Sequence, residues 1–284
     1  MLETISSLYE NAISSADKRV SDWALMSGPG LLLSILAVYY LLVRVIGPSF
    51  MEKRQAMQLK GVITMYNSIQ VLACALLVQQ TVKYIKNTNV TIIGCASVDF
   101  SDNPNAVQLA RMCWWYLILK LLDLVETLFF ILRKKHNQVS NLHLYHHIST
   151  PIFSWIMVKF VAGGTPSIYI ALNSAIHVLM YLYYLFTGIG MSKKLAPWKK
   201  YLTIIQMVQF CALIIHASQF VLSDCHMPTP LAIVFIPNVA IVYFMFANFY
   251  KKAYGKATND INSFKPNLKI MVDNRNKKPA IKNL

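Results

Sequence analysis

The sequence predicts an all-α integral membrane protein, and three observations carry that prediction. Hydrophobic residues make up 56% of the 284-residue chain and charged residues only 14%, where a water-soluble domain carries about a quarter. Mean hydropathy is +0.44. The apolar residues are gathered into stretches of about 20, the length that crosses a hydrocarbon core as a helix. Seven such stretches fall near 27–46, 61–82, 108–132, 144–161, 166–188, 202–222 and 231–250, with no internal repeat and no soluble domain beside them. The first follows a polar, amphipathic segment and is long enough to span, so it does not read as a cleavable signal.

The net charge of +15 argues for topology rather than for a nucleic-acid partner. Lys53, Arg54 and Lys60, then Arg133, Lys134 and Lys135, then Lys193, Lys194, Lys199 and Lys200 occupy alternate joins. Further cations follow the last span, from Lys251 and Lys252 through Lys282. The positive-inside rule puts these joins and the C-terminus in the cytosol and the N-terminus in the lumen. A basic cytosolic mouth would also draw in an anionic substrate. Residues 1–26 are expected as a short helix at the lumenal interface, 27–250 as the membrane domain, and 251–284 as a basic, disordered cytosolic tail. Cys74, Cys113 and Cys211 lie within or near spans and suit packing. Cys95 and Cys225 lie in lumenal joins, where a disulfide is permitted, and a Cys95–Cys225 bridge is expected. Asn89-Val90-Thr91 in the same loop has the form of a glycosylation acceptor.

Polar residues inside spans cost roughly 2.5–3.5 kcal/mol each when charged and central, so each is a functional candidate. Four groups stand out. His143, His146 and His147 open span four and share one helix face. Three imidazoles this close cannot comfortably all be charged, which suits a nucleophile, base or ligand. On span five, His177 is followed by Tyr181, Tyr183 and Tyr184. An interfacial aromatic belt would explain the tyrosines alone, but Asn173, one turn before His177, points to a site. Lys120, Asp123 and Glu126 form a stripe on span three that must face the bundle interior; Lys120 and Asp123 can pair, leaving Glu126 in need of a partner. Gln206, Gln209 and His216 lie on span six, where hydrogen bonding between helices would equally account for them.

In this order the four groups resemble the very-long-chain fatty-acid elongases, whose patterns are K-x-x-E-x-x-D-T, H-x-x-H-H, H-x-x-M-Y-x-Y-Y and T-x-x-Q-x-x-Q. The last three are matched at every fixed position, the fourth from Thr203 to Gln209. The first is matched with its acids exchanged, Asp123 standing for Glu and Glu126 for Asp. The resemblance covers roughly residues 25–255 and implies six helices in an inverted barrel around an acyl tunnel, with a seventh outside. It implies condensation of an acyl-CoA with malonyl-CoA in the endoplasmic reticulum membrane, without a bound cofactor or metal. By motif position His146 is the acyl carrier, with His143 and His147 orienting it and moving protons. His177 then serves malonyl-CoA decarboxylation and the enolate, with Tyr183 or Tyr184. Lys120, Asp123 and Glu126 order this arrangement or hold the thioester. The pathway implies a ketoreductase, a dehydratase and an enoyl reductase as partners and leaves room for a homodimer. Gln138 stands where the branches acting on very-long-chain or polyunsaturated acyl groups carry Gln, and the branch using shorter saturated chains carries Pro.

Two rivals have weaker support. A di-iron desaturase also uses H-x-x-H-H but needs about eight histidines to fill two coordination shells, and this chain has seven. A seven-helix receptor or transporter fits the span count. A receptor needs no trio of histidines at the cytosolic face, however, and the paired broken helices of transporters are not evident.

Overall fold

The apolar stretches fold as seven long helices in a computed structural model that describes residues 14–88, 90, 91, 94, 96–222 and 229–275. They are α1 (Gly30–Met51), α2 (Lys60–Asn87), α3 (Pro104–Leu132), α4 (Asn141–Val161), α5 (Pro166–Phe186), α6 (Trp198–Leu222) and α7 (Thr229–Arg275). No strand occurs among the described residues. Five of the helices, α1, α2, α5, α6 and α7, are long and apolar enough to cross a membrane. The other two, α3 and α4, carry Lys120, Asp123, Glu126 and the three histidines, and these side chains dilute their apolar character.

Local signals set the helix ends that matter for the site. Asn103 caps α3 by accepting from the Asn105 N–H at 3.0 Å, and Pro104 takes the first helical position, where its missing donor is harmless. Ser140 caps α4 through its hydroxyl, which accepts from the His143 N–H at 3.2 Å. That cap fixes the turn from which all three histidines project.

Helix α2 packs most extensively against α5, α6 against α7, and α3 against α4 and α2. One buried cluster joins α1 to α5 through Leu36, Tyr39, Cys74, Leu117, Trp155 and Tyr181. A second joins α4 to α7 through Val161, Tyr169, Phe210, Leu213 and Val239. Side chains such as Leu31, Leu72, Ile215 and Phe244 point outward, as a lipid-facing surface requires.

Of the short helix expected over residues 1–26, residues 1–13 lie outside the described residues and Ser14 is helical; residues 15–26 hold a 3-10 turn, Lys18–Val20, and are tied into the bundle. The Asp17 N–H donates to the Lys159 carbonyl at 2.8 Å, and Lys159 Nζ returns a bond to the Met26 carbonyl at 2.7 Å. The indoles of Trp114 and Trp155 donate to the carbonyls of Ala24 and Leu25 at 2.9 and 2.8 Å. The reason lies in Lys159, a cation buried in α4. A non-helical strap presents free carbonyls to it and to the indoles, whereas a helix would keep most of its own occupied. At the other end the α7 backbone continues to Arg275. Cys95, Cys225 and Asn89 lie outside the described residues.

Helix α1 meets α3 at Gly47, after a π-helical turn at Leu42–Ile46. A Cβ there would sit 2.5 Å from the Leu42 carbonyl oxygen and 2.9 Å from Ile131 Cγ2, whereas one on Gly61 would meet nothing within 4 Å. Gly47→Ala is therefore expected to lower stability by roughly 1–3 kcal/mol through overpacking, with Gly61→Ala neutral. Thermal unfolding of both variants in one detergent checks this; equal midpoints would contradict it.

Candidate active site

The buried charge of α3 organises one wall of the site. Lys120 and Asp123 are 3% and 5% exposed, and Nζ lies 3.1 Å from Oδ2. The other carboxylate oxygen, Oδ1, accepts from the Tyr181 hydroxyl and from Gln70 Nε2, both at 2.8 Å. His177 completes the group. Its ring nitrogens lie 3.4 and 3.3 Å from Lys120 Nζ, and Nδ1 is 3.8 Å from Asp123 Oδ2. Lys120 Nζ also sits 4.9 Å over the Tyr116 ring, and the Tyr116 hydroxyl donates to Asn173 Oδ1 at 2.9 Å. Three helices thus meet at one carboxylate, and a buried charge is tolerated there because every neighbour is a donor or a cation.

The histidines of α4 form the other wall. His143 Nε2 and the Tyr39 hydroxyl each lie 2.8 Å from the Thr127 hydroxyl, which joins α1, α3 and α4. The rings of His143 and His147 are 4.0 Å apart and tilted by 31°, and those of His146 and His147 are 5.7 Å apart. His147 is buried, and its Nδ1 has no hydrogen-bond partner. Helix α3 serves both walls, carrying Lys120 and Asp123 in the charged one and Thr127, bonded to His143, in the histidine one. Pro151, four residues after His147, removes the N–H that would bond the His147 carbonyl. The Thr150 hydroxyl bonds the carbonyl of His146 instead of leaving it to the helix alone. Glu126, left without a partner by sequence reasoning, places a ligand atom within 4.8 Å of ones on His143 and His147. Two imidazoles and a carboxylate are a donor set that could hold a metal ion such as zinc. The same three groups are equally a proton store beside a nucleophile.

An apolar cleft lies further along the same helix faces. His146, Thr150, Phe153 and Met157 recur at helical spacing on α4, as do Tyr169, Asn173 and His177 on α5. Phe153, Met157 and Tyr169 line the cleft with Phe220, Leu231 and Phe235. The remaining predicted residues surround these features. Tyr184 stands edge-on to Tyr181 at 6.1 Å, and Tyr183 edge-on to Tyr184 at 5.9 Å, one step from the charged group. Gln206 Nε2 approaches Met180 Sδ at 3.6 Å, and Gln209 is buried with an unpartnered Nε2. His216 is at the cleft end, its Nδ1 3.1 Å from the Tyr169 hydroxyl.

This arrangement has counterparts among known proteins. The family model described as the GNS1/SUR4 family, ELO, matches residues 24–261. The chain belongs to the ELO family. A very long chain fatty acid elongase of Aedes aegypti is 38% identical over 91% of this chain and 72% of its own length. Very long chain fatty acid elongase 7 of Drosophila melanogaster is 37% identical over 85% and 74%. Very long chain fatty acid elongase 4 of Homo sapiens is 40% identical over 87% and 78%. In this ELO-family protein the exchanged acids have separate surroundings, Asp123 with Lys120 and Glu126 near the histidines.

Sequence reasoning passed over Gln70, Tyr39 and Tyr116 as site residues. Gln70 carried a usable signal, an amide in the middle of a long apolar span. The two tyrosines carried none, because a tyrosine in an apolar helix ordinarily packs.

Lys120→Met would leave Asp123 ionised and buried without its cation, and a loss of about 3–5 kcal/mol is expected. Lys120→Met/Asp123→Asn removes both charges and should recover much of it. Unfolding in detergent compares the two; equal losses would mean that the carboxylate does not depend on Lys120.

Proposed function

We propose that this protein is a very-long-chain 3-oxoacyl-CoA synthase, condensing a long-chain acyl-CoA with malonyl-CoA at the endoplasmic reticulum membrane. The observation that carries the reading is the pairing of two polar walls with an apolar cleft on the same helix faces. A fatty acyl chain needs an apolar sleeve, and its thioester needs nucleophile, proton carriers and charge at the sleeve's polar end. Membership of a family whose relatives are named very long chain fatty acid elongases supports the same reading.

The chemistry divides between the walls. An imidazole nitrogen of His146 attacks the acyl carbonyl; the C–S bond breaks, an acyl–nitrogen bond forms, and the CoA thiolate takes a proton. His143 and His147 orient that ring, with Glu126 near enough to share protons. Malonyl-CoA then loses CO2, and its electron pair becomes the enolate of acetyl-CoA. Lys120 and His177 stabilise the enolate oxygen, and Asp123 holds the two together. The enolate carbon attacks the acyl carbonyl, the acyl–nitrogen bond breaks, and His146 is regenerated. The net change is acyl-CoA plus malonyl-CoA plus a proton giving 3-oxoacyl-CoA, CO2 and CoA.

The finer architecture follows the same reading: seven spans with six around the tunnel, N-terminus lumenal, and a basic cytosolic mouth for the CoA phosphates. The product is a substrate for a ketoreductase, and a dehydratase and an enoyl reductase then restore a saturated acyl chain. Gln138, exposed in the turn before α4, fits the branch taking longer substrates.

Microsomes containing the protein, offered labelled malonyl-CoA and acyl-CoAs of graded length, should make product two carbons longer. His146→Ala should cut this by more than about 100-fold with the protein still in the membrane. No product from any acyl-CoA would overturn the reading, and iron in the purified protein would favour a desaturase.

A further inference from the structure

The two walls are separately wired. Thr127 ties His143 to Tyr39, while Asp123, Lys120, His177 and Tyr181 form the other set. No hydrogen bond among the described residues links one set to the other. Gln70 of α2 belongs wholly to the second. It is 1% exposed, and its amide nitrogen donates to Asp123 Oδ1 at 2.8 Å and to the Tyr66 hydroxyl at 3.0 Å, with the Tyr181 hydroxyl at 3.4 Å. The Tyr66 hydroxyl in turn donates to the Leu122 carbonyl at 3.2 Å.

The orientation of the amide follows from its neighbours. A carboxylate accepts only, so Gln70 must present its NH2 group to Asp123. Its carbonyl oxygen is then left buried without a donor. A glutamine kept at that cost is there for what its two N–H groups hold. What they hold is the carboxylate whose other oxygen sets the distance between Lys120 and His177.

Building on the reaction proposed above, we infer that Gln70 is a positioning residue for the condensation half of the reaction and not for the acyl-transfer half. Its route to the chemistry runs through Asp123 to the Lys120–His177 pair. His146, the acyl carrier, sits on the wall held by Thr127 and Ser140, which Gln70 does not touch. Loss of the Gln70 donors therefore relaxes the group that stabilises the enolate and leaves acyl transfer in place.

The test separates the half-reactions in the purified full-length protein. Labelled acyl-CoA without malonyl-CoA reports acyl-enzyme and released CoA; adding malonyl-CoA reports product. Gln70→Met keeps the side-chain length and removes the donors. Thr81→Val, on the same helix, removes a buried hydroxyl that has no partner and serves as the control.

Expected for Gln70→Met is acyl-enzyme formation within about twofold of the native protein. Turnover with malonyl-CoA should fall at least about tenfold, at unchanged KM for acyl-CoA, a split that general loosening of the bundle does not produce. Thr81→Val should leave both halves as they are. Equal loss of both halves in Gln70→Met, or loss of neither, overturns the inference while the proposed reaction stands. Absence of acyl-enzyme in the native protein brings down the reaction scheme itself, and the inference with it.

Discussion

An ammonium and a carboxylate set 3.1 Å apart in the interior of a helix bundle impose conditions on everything around them. Each ion loses several kcal/mol of hydration on burial, and their mutual attraction offsets that loss only when the remaining lone pairs are also occupied. The structure meets this condition with donors from α2 and α5, and so it cannot place α3 without placing those two helices as well. The extensive packing of α2 on α5 follows from the same requirement, since both helices supply donors to one carboxylate. The choice of acid at position 123 belongs here too. An aspartate three residues from Lys120 reaches its cation with a short side chain and keeps both oxygens close to the helix, where Tyr181 and Gln70 meet them.

The histidine wall depends on weaker and more local forces. A serine cap, a shared threonine hydroxyl and ring contacts hold three imidazoles without any formal charge among their direct hydrogen-bond partners. Uncharged direct partners of this kind, with the Glu126 carboxylate nearby, suit a nitrogen that must present a lone pair. Pro151 fits the same picture, because it loosens the backbone just beyond the histidines while the Thr150 hydroxyl steadies it. An ion-paired wall and an imidazole wall, both anchored on α3, suit the two halves of the proposed reaction, stabilising an anion and carrying an acyl group.

The strap at residues 15–26 is a second instance of a buried cation dictating backbone conformation. Among the described residues Lys159 forms no ion pair; it takes the Met26 main-chain carbonyl instead, one that the non-helical segment leaves free. Polar residues inside this bundle therefore act first as architectural constraints. The site is the place where several of those constraints coincide.

Periodicity and composition alone determined the helices, because an apolar run of about 20 residues has few alternatives in a membrane. The histidine face of α4 and the interior stripe on α3 were likewise readable, since each rests on spacing within one helix. Contacts between helices were not readable. That Gln70 rather than some other amide holds Asp123, that Tyr39 and His143 share Thr127, and that Glu126 approaches the histidines depend on crossing geometry set by side chains far apart in sequence. The non-helical strap escaped for the same reason, as its conformation answers to a lysine more than 130 residues away. Sequence determined which residues must be inside, through the cost of leaving them in lipid. Only the tertiary structure decided which of them meet, because a hydrogen bond is made or lost within a few tenths of an ångström and no spacing rule carries that precision across separate helices.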